Sequence, residues 1–200
     1  MQIFSSVLTN VLASLYQEFF SALVFAFLFM FLYMFAQQNG GYKRAIKIFF
    51  INFQKHKSYR YIFYFAFYCA MILFRTLLCR QLWVDPLNNV LGSWSLYDSQ
   101  GHIQTEGIEN FILFIPFTIL YFWMISQMKE YKTRWILVHS ITYSFLFSIC
   151  IELLQLLLKL GSFQLSDLFY NTLGGFVGGI IYVCAHKKSD HENKEGKEEV

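Results

Sequence analysis

Residues 136–158 read ILVHSITYSFLFSICIELLQLLL, and the fold turns on how that run is understood. It is long enough to cross the hydrocarbon core of a bilayer, which takes about 20 residues as a helix. Its single acidic residue is Glu152. A carboxylate near the centre of a membrane helix costs about 2.5–3.5 kcal/mol on insertion scales, so it faces the interior of a bundle and needs a partner. Ser144, Ser148, Glu152 and Gln155 are spaced by four, four and three, which places them on one helical face. The next apolar run, 165–185, LSDLFYNTLGGFVGGIIYVCA, opens with Asp167 and Asn171, again on one face. The two runs are joined by a short turn around Gly161, so they are antiparallel neighbours with polar stripes facing each other. Folding the hairpin about that turn sets Glu152 level with Asn171, and Gln155 level with Asp167, which gives each buried polar group a partner.

The composition extends this reading to the whole chain. Hydrophobic residues make up 56% and charged residues 14%, against about 25% charged in soluble domains. The fold class is all-α, a polytopic membrane helix bundle. Five spans of suitable length fall at about 19–36, 61–78, 108–125, 136–158 and 165–185. Residues 1–18 carry Ile3, Phe4, Val7, Leu8, Val11, Leu12 and Leu15 as a stripe at helical spacing. That pattern predicts an amphipathic interfacial helix, lying either on the membrane surface or against the bundle. The same stretch contains no Lys or Arg, so no cleavable leader is expected. The domain plan is therefore an interfacial helix over 1–18, a transmembrane bundle over 19–186 and a charged, disordered tail over 187–200.

Charge placement orients the bundle. Thirteen of the sixteen Lys and Arg lie in 37–60, 126–135 and the tail, which share one side in a five-span arrangement. By the positive-inside rule that side is cytoplasmic, with the N-terminus outside and the C-terminus inside the cell. The 37–60 connection mixes aromatic and basic residues. It reads either as an orientation signal touching anionic lipid or as an interfacial helix. The 79–107 connection carries Trp83 and Trp94 and is either a folded cap or a re-entrant segment. Cys69, Cys79, Cys150 and Cys184 read as membrane-segment thiols with no disulfide framework.

In this arrangement the strong polar residues collect in the outer half of the bundle. Arg75 ends the second span, Glu109 and Asn110 begin the third, and Glu152, Gln155, Asp167 and Asn171 complete the set. Arg75 is the expected counter-ion for Glu152 or Asp167. Glu152 and Asp167 are the candidate proton-holding groups, and Arg75, Asn110, Gln155 and Asn171 the candidate binding groups. Gly174, Gly175, Gly178 and Gly179 form overlapping GxxxG patterns and read as helix-packing positions. No Ser-His-Asp order, HExxH or metal-ligand spacing occurs, so neither metal nor cofactor is expected, and nothing points to nucleic acid.

The same positions carry a family resemblance. Glu109-Asn110-Phe111-Ile112-Leu113-Phe114-Ile115-Pro116-Phe117, then Ser148 with Ile151-Glu152-Leu153-Leu154-Gln155, then Asp167-Leu168 with Asn171-Thr172-Leu173-Gly174-Gly175 and Gly178, resemble in order and spacing the motifs of VanZ-like membrane proteins. Leu73-Phe74-Arg75 and the loop 85–94 are similar to further segments of that family. The resemblance covers about 70–182. Thr118 departs from it, standing where the family often has Gly after Pro-Phe, which bears on close packing of the third span. The resemblance implies a cell-envelope protein of mostly Gram-positive bacteria, in a family whose founding member is linked to low-level teicoplanin resistance. It implies no settled reaction. Two functional readings follow. Either an outward-facing polar site binds or acts on a membrane lipid, a lipid-linked cell-wall precursor or a glycopeptide, or the polar cluster is packing glue in a structural or accessory subunit. A transporter is disfavoured, because five spans without an inverted repeat lack the usual symmetry.

Overall fold

The computed structural model describes residues 2–36, 41–78, 85–95, 97 and 104–198. Cys79, Arg80 and Trp83 lie outside them. Six α-helices follow in order: α1 Gln2–Ala36, α2 Gly41–Lys55, α3 Lys57–Leu73, α4 Glu106–Ser126, α5 Thr133–Leu158 and α6 Leu165–Glu198. A π-helical turn, Phe74–Leu78, closes α3. Among the described residues, five helical segments are long and apolar enough to cross a membrane: Ser5–Ala36, Lys57–Leu77, Glu106–Ser126, Thr133–Leu158 and Leu165–His186. The chain is an all-α membrane bundle with the span count read from its sequence.

The bundle is inverted relative to a soluble protein. Phe19, Phe20, Val24, Phe25, Leu28 and Leu32 are exposed along α1, and Leu153, Leu157 and Leu158 along α5. The buried face of α5 is Ile136, Ser140, Ser144, Ser148, Ile151, Glu152 and Gln155. Lipid tails are as apolar as Leu, so burying Leu gains little, whereas a hydroxyl or carboxylate facing lipid has no partner. The serine stripe therefore turns inward.

The helix expected over 1–18 is present, but it is not a separate in-plane element. It runs without a break into the first span as α1, because no Gly or Pro interrupts the join. At 35 residues, α1 is about 52 Å long, well beyond the roughly 30 Å of the hydrocarbon core. At the other terminus α6 continues to Glu198, past the end of the apolar run, where composition predicts an unstructured tail. Lys and Glu are good helix formers, and extending an existing helix needs no new nucleus.

Helix α6 lies against both α4 and α5, and these are the two most extensive contacts among the helices. On the other side of the bundle α3 lies against α1 and α4. The glycines set the α6 seams. A Cβ at Gly174 would overlap the Phe111 carbonyl of α4, and one at Gly178 would meet the Ile115 carbonyl. On the adjacent face, Gly175 and Gly179 abut Ser144 and Ser140 of α5. Thr118 is fully buried in the α4–α6 seam, and its hydroxyl donates to the Gly175 carbonyl at 2.9 Å. A larger residue than Gly is thus accommodated at 118 by giving its hydroxyl an acceptor.

Helix α5 ends on Lys159 in the left-handed region (φ 53°), and the Leu160 N–H returns to the Gln155 carbonyl at 2.9 Å. That ending turns the chain sharply toward α6. The loop 85–92 docks onto this turn. Phe163 N–H donates to the Pro86 carbonyl at 2.9 Å, and Leu165 N–H to the Val90 carbonyl at 2.8 Å. Gly92, at φ +75°, sits against the Ser166 side chain. Trp94 packs over Phe169 and Tyr170. The described part of the 79–107 connection is therefore a folded cap on the end of the bundle. Gly92→Ala introduces both backbone strain and a clash, and is expected to loosen the cap by about 1–3 kcal/mol. Faster amide exchange at 87–92 and 163–166, with unchanged exchange in mid-α5, is the result to look for; uniform protection throughout would contradict it.

Candidate functional site

Polar residues gather at the capped end of the bundle in two connected groups. The first joins α1, the π turn and α4. Arg75 and Glu109 form a salt bridge at 2.5 Å, with their side chains 20% and 9% exposed. The other carboxylate oxygen of Glu109 accepts from the Thr105 hydroxyl at 2.5 Å and from the Asn10 amide at 2.9 Å. Asn10 also donates to the Thr105 hydroxyl at 3.2 Å. Arg75 stands on the π-helical turn, where the extra residue rotates side chains away from their α-helical direction, and such bulges recur at functional sites.

The second group joins α5, α6 and the π turn. Glu152 is 2% exposed and accepts from the Gln164 backbone N–H at 3.0 Å. That N–H immediately precedes α6, where amide groups lack intrahelical partners and a negative charge is favoured by the helix dipole. Gln155 donates to the Thr76 carbonyl in the π turn at 2.8 Å. Asn171 donates to the Ser148 hydroxyl at 2.9 Å. Buried with no hydrogen-bond partner among the described residues are Ser144 Oγ, Gln155 Oε1 and Asn171 Oδ1. Asn110 and Asp167 are buried at the same end.

The sequence-predicted residues thus come together, but not in the predicted pairs. Arg75 is committed to Glu109 and is not the counter-ion described for Glu152 or Asp167. Asn171 meets Ser148, one helical turn deeper than Glu152. Gln155 meets the π turn rather than Asp167. Glu152 instead reaches forward to the Gln164 N–H at the start of α6.

Above these groups lies a cavity of about 470 Å³ lined by Asn10, Asn89, Ser93, Gln104, Thr105, Glu106, Glu109 and Gln164. A second cavity of about 20 Å³ adjoins it, with Asp167, Ser166 and Tyr170 in its wall. That volume is the size of one water. Sequence reasoning missed most of this lining. Asn10 stood on the polar side of the N-terminal stripe, and only the folded chain brings it to a residue 99 positions later. The four-residue spacing of Thr105 and Glu109 was the one legible signal. Among the described residues, no group of three or more His, Cys, Asp or Glu is placed to hold a metal ion.

Chemically, the cavity offers amides, hydroxyls and two carboxylates, with the guanidinium of Arg75 fixing one carboxylate from behind. Such a lining suits a hydrogen-bonding headgroup. Comparison with known proteins bears on the bundle as a whole. Protein VanZ of Enterococcus faecium is 33% identical over 86 residues, which cover 41% of this chain and 47% of that protein. The match therefore spans about half the length of that curated relative. No solved structure matches. The model of the VanZ/LLP1 family matches residues 61–186, beginning somewhat before and ending slightly after the stretch over which the motifs were recognised. That span takes in most of α3, the π turn, α4, α5 and the membrane part of α6, hence all the candidate site except Asn10, and the chain belongs to the VanZ/LLP1 family.

Proposed function

We propose that the capped end faces outward from the cell membrane and binds the polar part of a cell-envelope lipid, lipid-linked precursor or glycopeptide, in a role linked to teicoplanin-type resistance. One observation carries the reading: Glu109, pinned by Arg75, forms part of the wall of a polar cavity of about 470 Å³ at the end of a membrane bundle. Buried ionisable residues in membrane proteins mark functional sites by default, because their cost must be offset. The charge bias supports the orientation, since most basic residues lie in α2, the α4–α5 turn and the end of α6, all away from the cavity.

In this reading Glu106 and Glu109 meet the ligand with the amides of Asn10, Asn89, Gln104 and Gln164. Arg75 positions Glu109. Glu152 and Asp167 stand behind the cavity wall, Glu152 accepting from the Gln164 N–H and Asp167 in the wall of the small adjoining cavity. A packing role is favoured for the deeper residues, because Asn171 to Ser148 and Gln155 to Thr76 are direct helix-to-helix bonds.

Susceptibility of a teicoplanin-sensitive host expressing the chain tests the proposal. Glu106 is exposed in the cavity and outside the ion pair. Glu106→Gln and Glu152→Gln should accumulate at normal levels yet lose most of the protection seen with the wild-type chain. Full protection by both variants would leave the cavity without a role and favour packing glue throughout.

A further inference from the structure

Helix α2, Gly41–Lys55, precedes the part of the chain that the family model matches, and the site at the capped end does not use it. Its residues divide into three sectors at about 100° per residue. Ala45 and Phe49 are buried. Phe49 packs on Phe27 of α1 and clusters with Ala26, Met30 and Phe63. Beside that packed sector lie Tyr42, Ile46 and Phe50, at 59%, 45% and 58% exposure, with the half-buried Phe53 among them. The remaining sector carries Lys43, Arg44, Lys47 and Lys55, all exposed, with Ile51 the one apolar side chain among them.

The height of α2 in the bundle is fixed independently. Twenty residues along α1 from Asn10, about 30 Å and so one hydrocarbon thickness, is Met30, and there α2 packs. His56 alone separates α2 from α3. Tyr61 and Trp123 meet at the same end of the bundle, at 6.2 Å between ring centroids, and such aromatics mark the membrane–water boundary. Phe49, which borders the apolar sector of α2, packs on the exposed Phe27 of α1, while the cationic sector lies on the face of α2 opposite Ala45 and Phe49.

We infer that α2 is an in-plane helix that docks on anionic phospholipid, with Lys43, Arg44 and Lys47 on the phosphates and Tyr42, Ile46 and Phe50 in the acyl boundary. Charge complementarity chooses the occupant. Four cations flank an apolar strip at the depth where anionic headgroups lie above acyl chains, and a helix of this kind binds through both. The inference does not depend on the function of the cavity at the other end.

Full-length protein in neutral detergent, titrated with phosphatidylglycerol or phosphatidylcholine, provides the test, with bound lipid counted by native mass spectrometry and unfolding temperature followed in parallel. Phosphatidylglycerol should bind and raise the unfolding temperature, and phosphatidylcholine should not. At roughly fivefold per basic residue, the triple variant K43Q/R44Q/K47Q should bind phosphatidylglycerol about 100-fold more weakly. Its unfolding temperature without added lipid should match the wild type, since all three side chains are exposed. Lys43→Arg with Lys47→Arg should keep the binding. Equal retention of the two lipids, unchanged binding by the triple variant, or displacement by inorganic phosphate alone would each overturn the inference, the last because it leaves the apolar strip without a part.

Discussion

Gly174→Leu is expected to abolish accumulation of folded protein. Overpacking into a side chain costs about 1–3 kcal/mol, because the neighbour can rotate away. At Gly174 the neighbour is the Phe111 backbone carbonyl, which cannot. Helices α4 and α6 must then separate, and separation also breaks the bond from Thr118 to the Gly175 carbonyl and opens the seam one turn further on, at Gly178. The expected loss exceeds about 3 kcal/mol, a large share of the 5–15 kcal/mol that holds a typical domain together. Gly175 makes the contrast. Its Cβ would meet the Ser144 side chain, so Gly175→Ala should be harmful alone and largely recovered when combined with Ser144→Gly. Size-exclusion profiles and thermal unfolding in detergent read both cases. A well-folded Gly174→Leu protein would show that α4 and α6 do not pack as closely as described.

Arg75→Gln has the second largest expected effect. Removing one partner of a buried ion pair typically costs about 3–5 kcal/mol, because the other charge is left without compensation. Arg75 keeps some exposure, 20% against 9% for Glu109, so about 2–3 kcal/mol is expected here. Glu109 retains Thr105 and Asn10 as donors, which limits the damage. The double variant Arg75→Gln/Glu109→Gln should be clearly less destabilised than the sum of the two single variants, since it leaves no orphan charge. Arg75→Lys should recover only part of the loss, because an ammonium lacks the planar fork of the guanidinium. A double-mutant cycle of unfolding free energies measures the coupling. Simple additivity would mean that the two residues do not act as a pair.

The legible parts of this chain were those governed by local period and short connections. The stripe Ser144, Ser148, Glu152, Gln155 is buried as its spacing requires, and the short turn at Gly161 makes α5 and α6 neighbours. The glycines after Asn171 were readable as seam residues because a helix offers few other uses for four of them. Pairing across longer separations was not readable. Nothing local to Arg75 distinguishes Glu109 from Glu152 as its partner. Arg75 stands on the π turn at Phe74–Leu78, and that segment contains neither Pro nor Gly to announce it. Asn171 bonds one turn from its predicted partner, and Glu152 bonds to a backbone amide, a kind of partner that hairpin arithmetic does not consider. The continuity of α1 was missed for the opposite reason. The amphipathic stretch and the apolar run differ in composition, but a helix ends only where something stops it.

The tie between Asn10 and Glu109 also sets an order of events during synthesis. Asn10 leaves the ribosome 99 residues before its carboxylate partner, an interval of about 5–20 s at ordinary rates of translation. Glu18, also buried in the finished bundle, emerges nearly as early. The first helix therefore enters the membrane on the strength of its Phe-rich half, within a segment of mean hydropathy 2.3, while its polar half waits. Until α4 is threaded, the hydrogen bond from Asn10 to Glu109 cannot form. Completion of the third span is the step at which the N-terminal half of α1 gains its bond to the rest of the bundle.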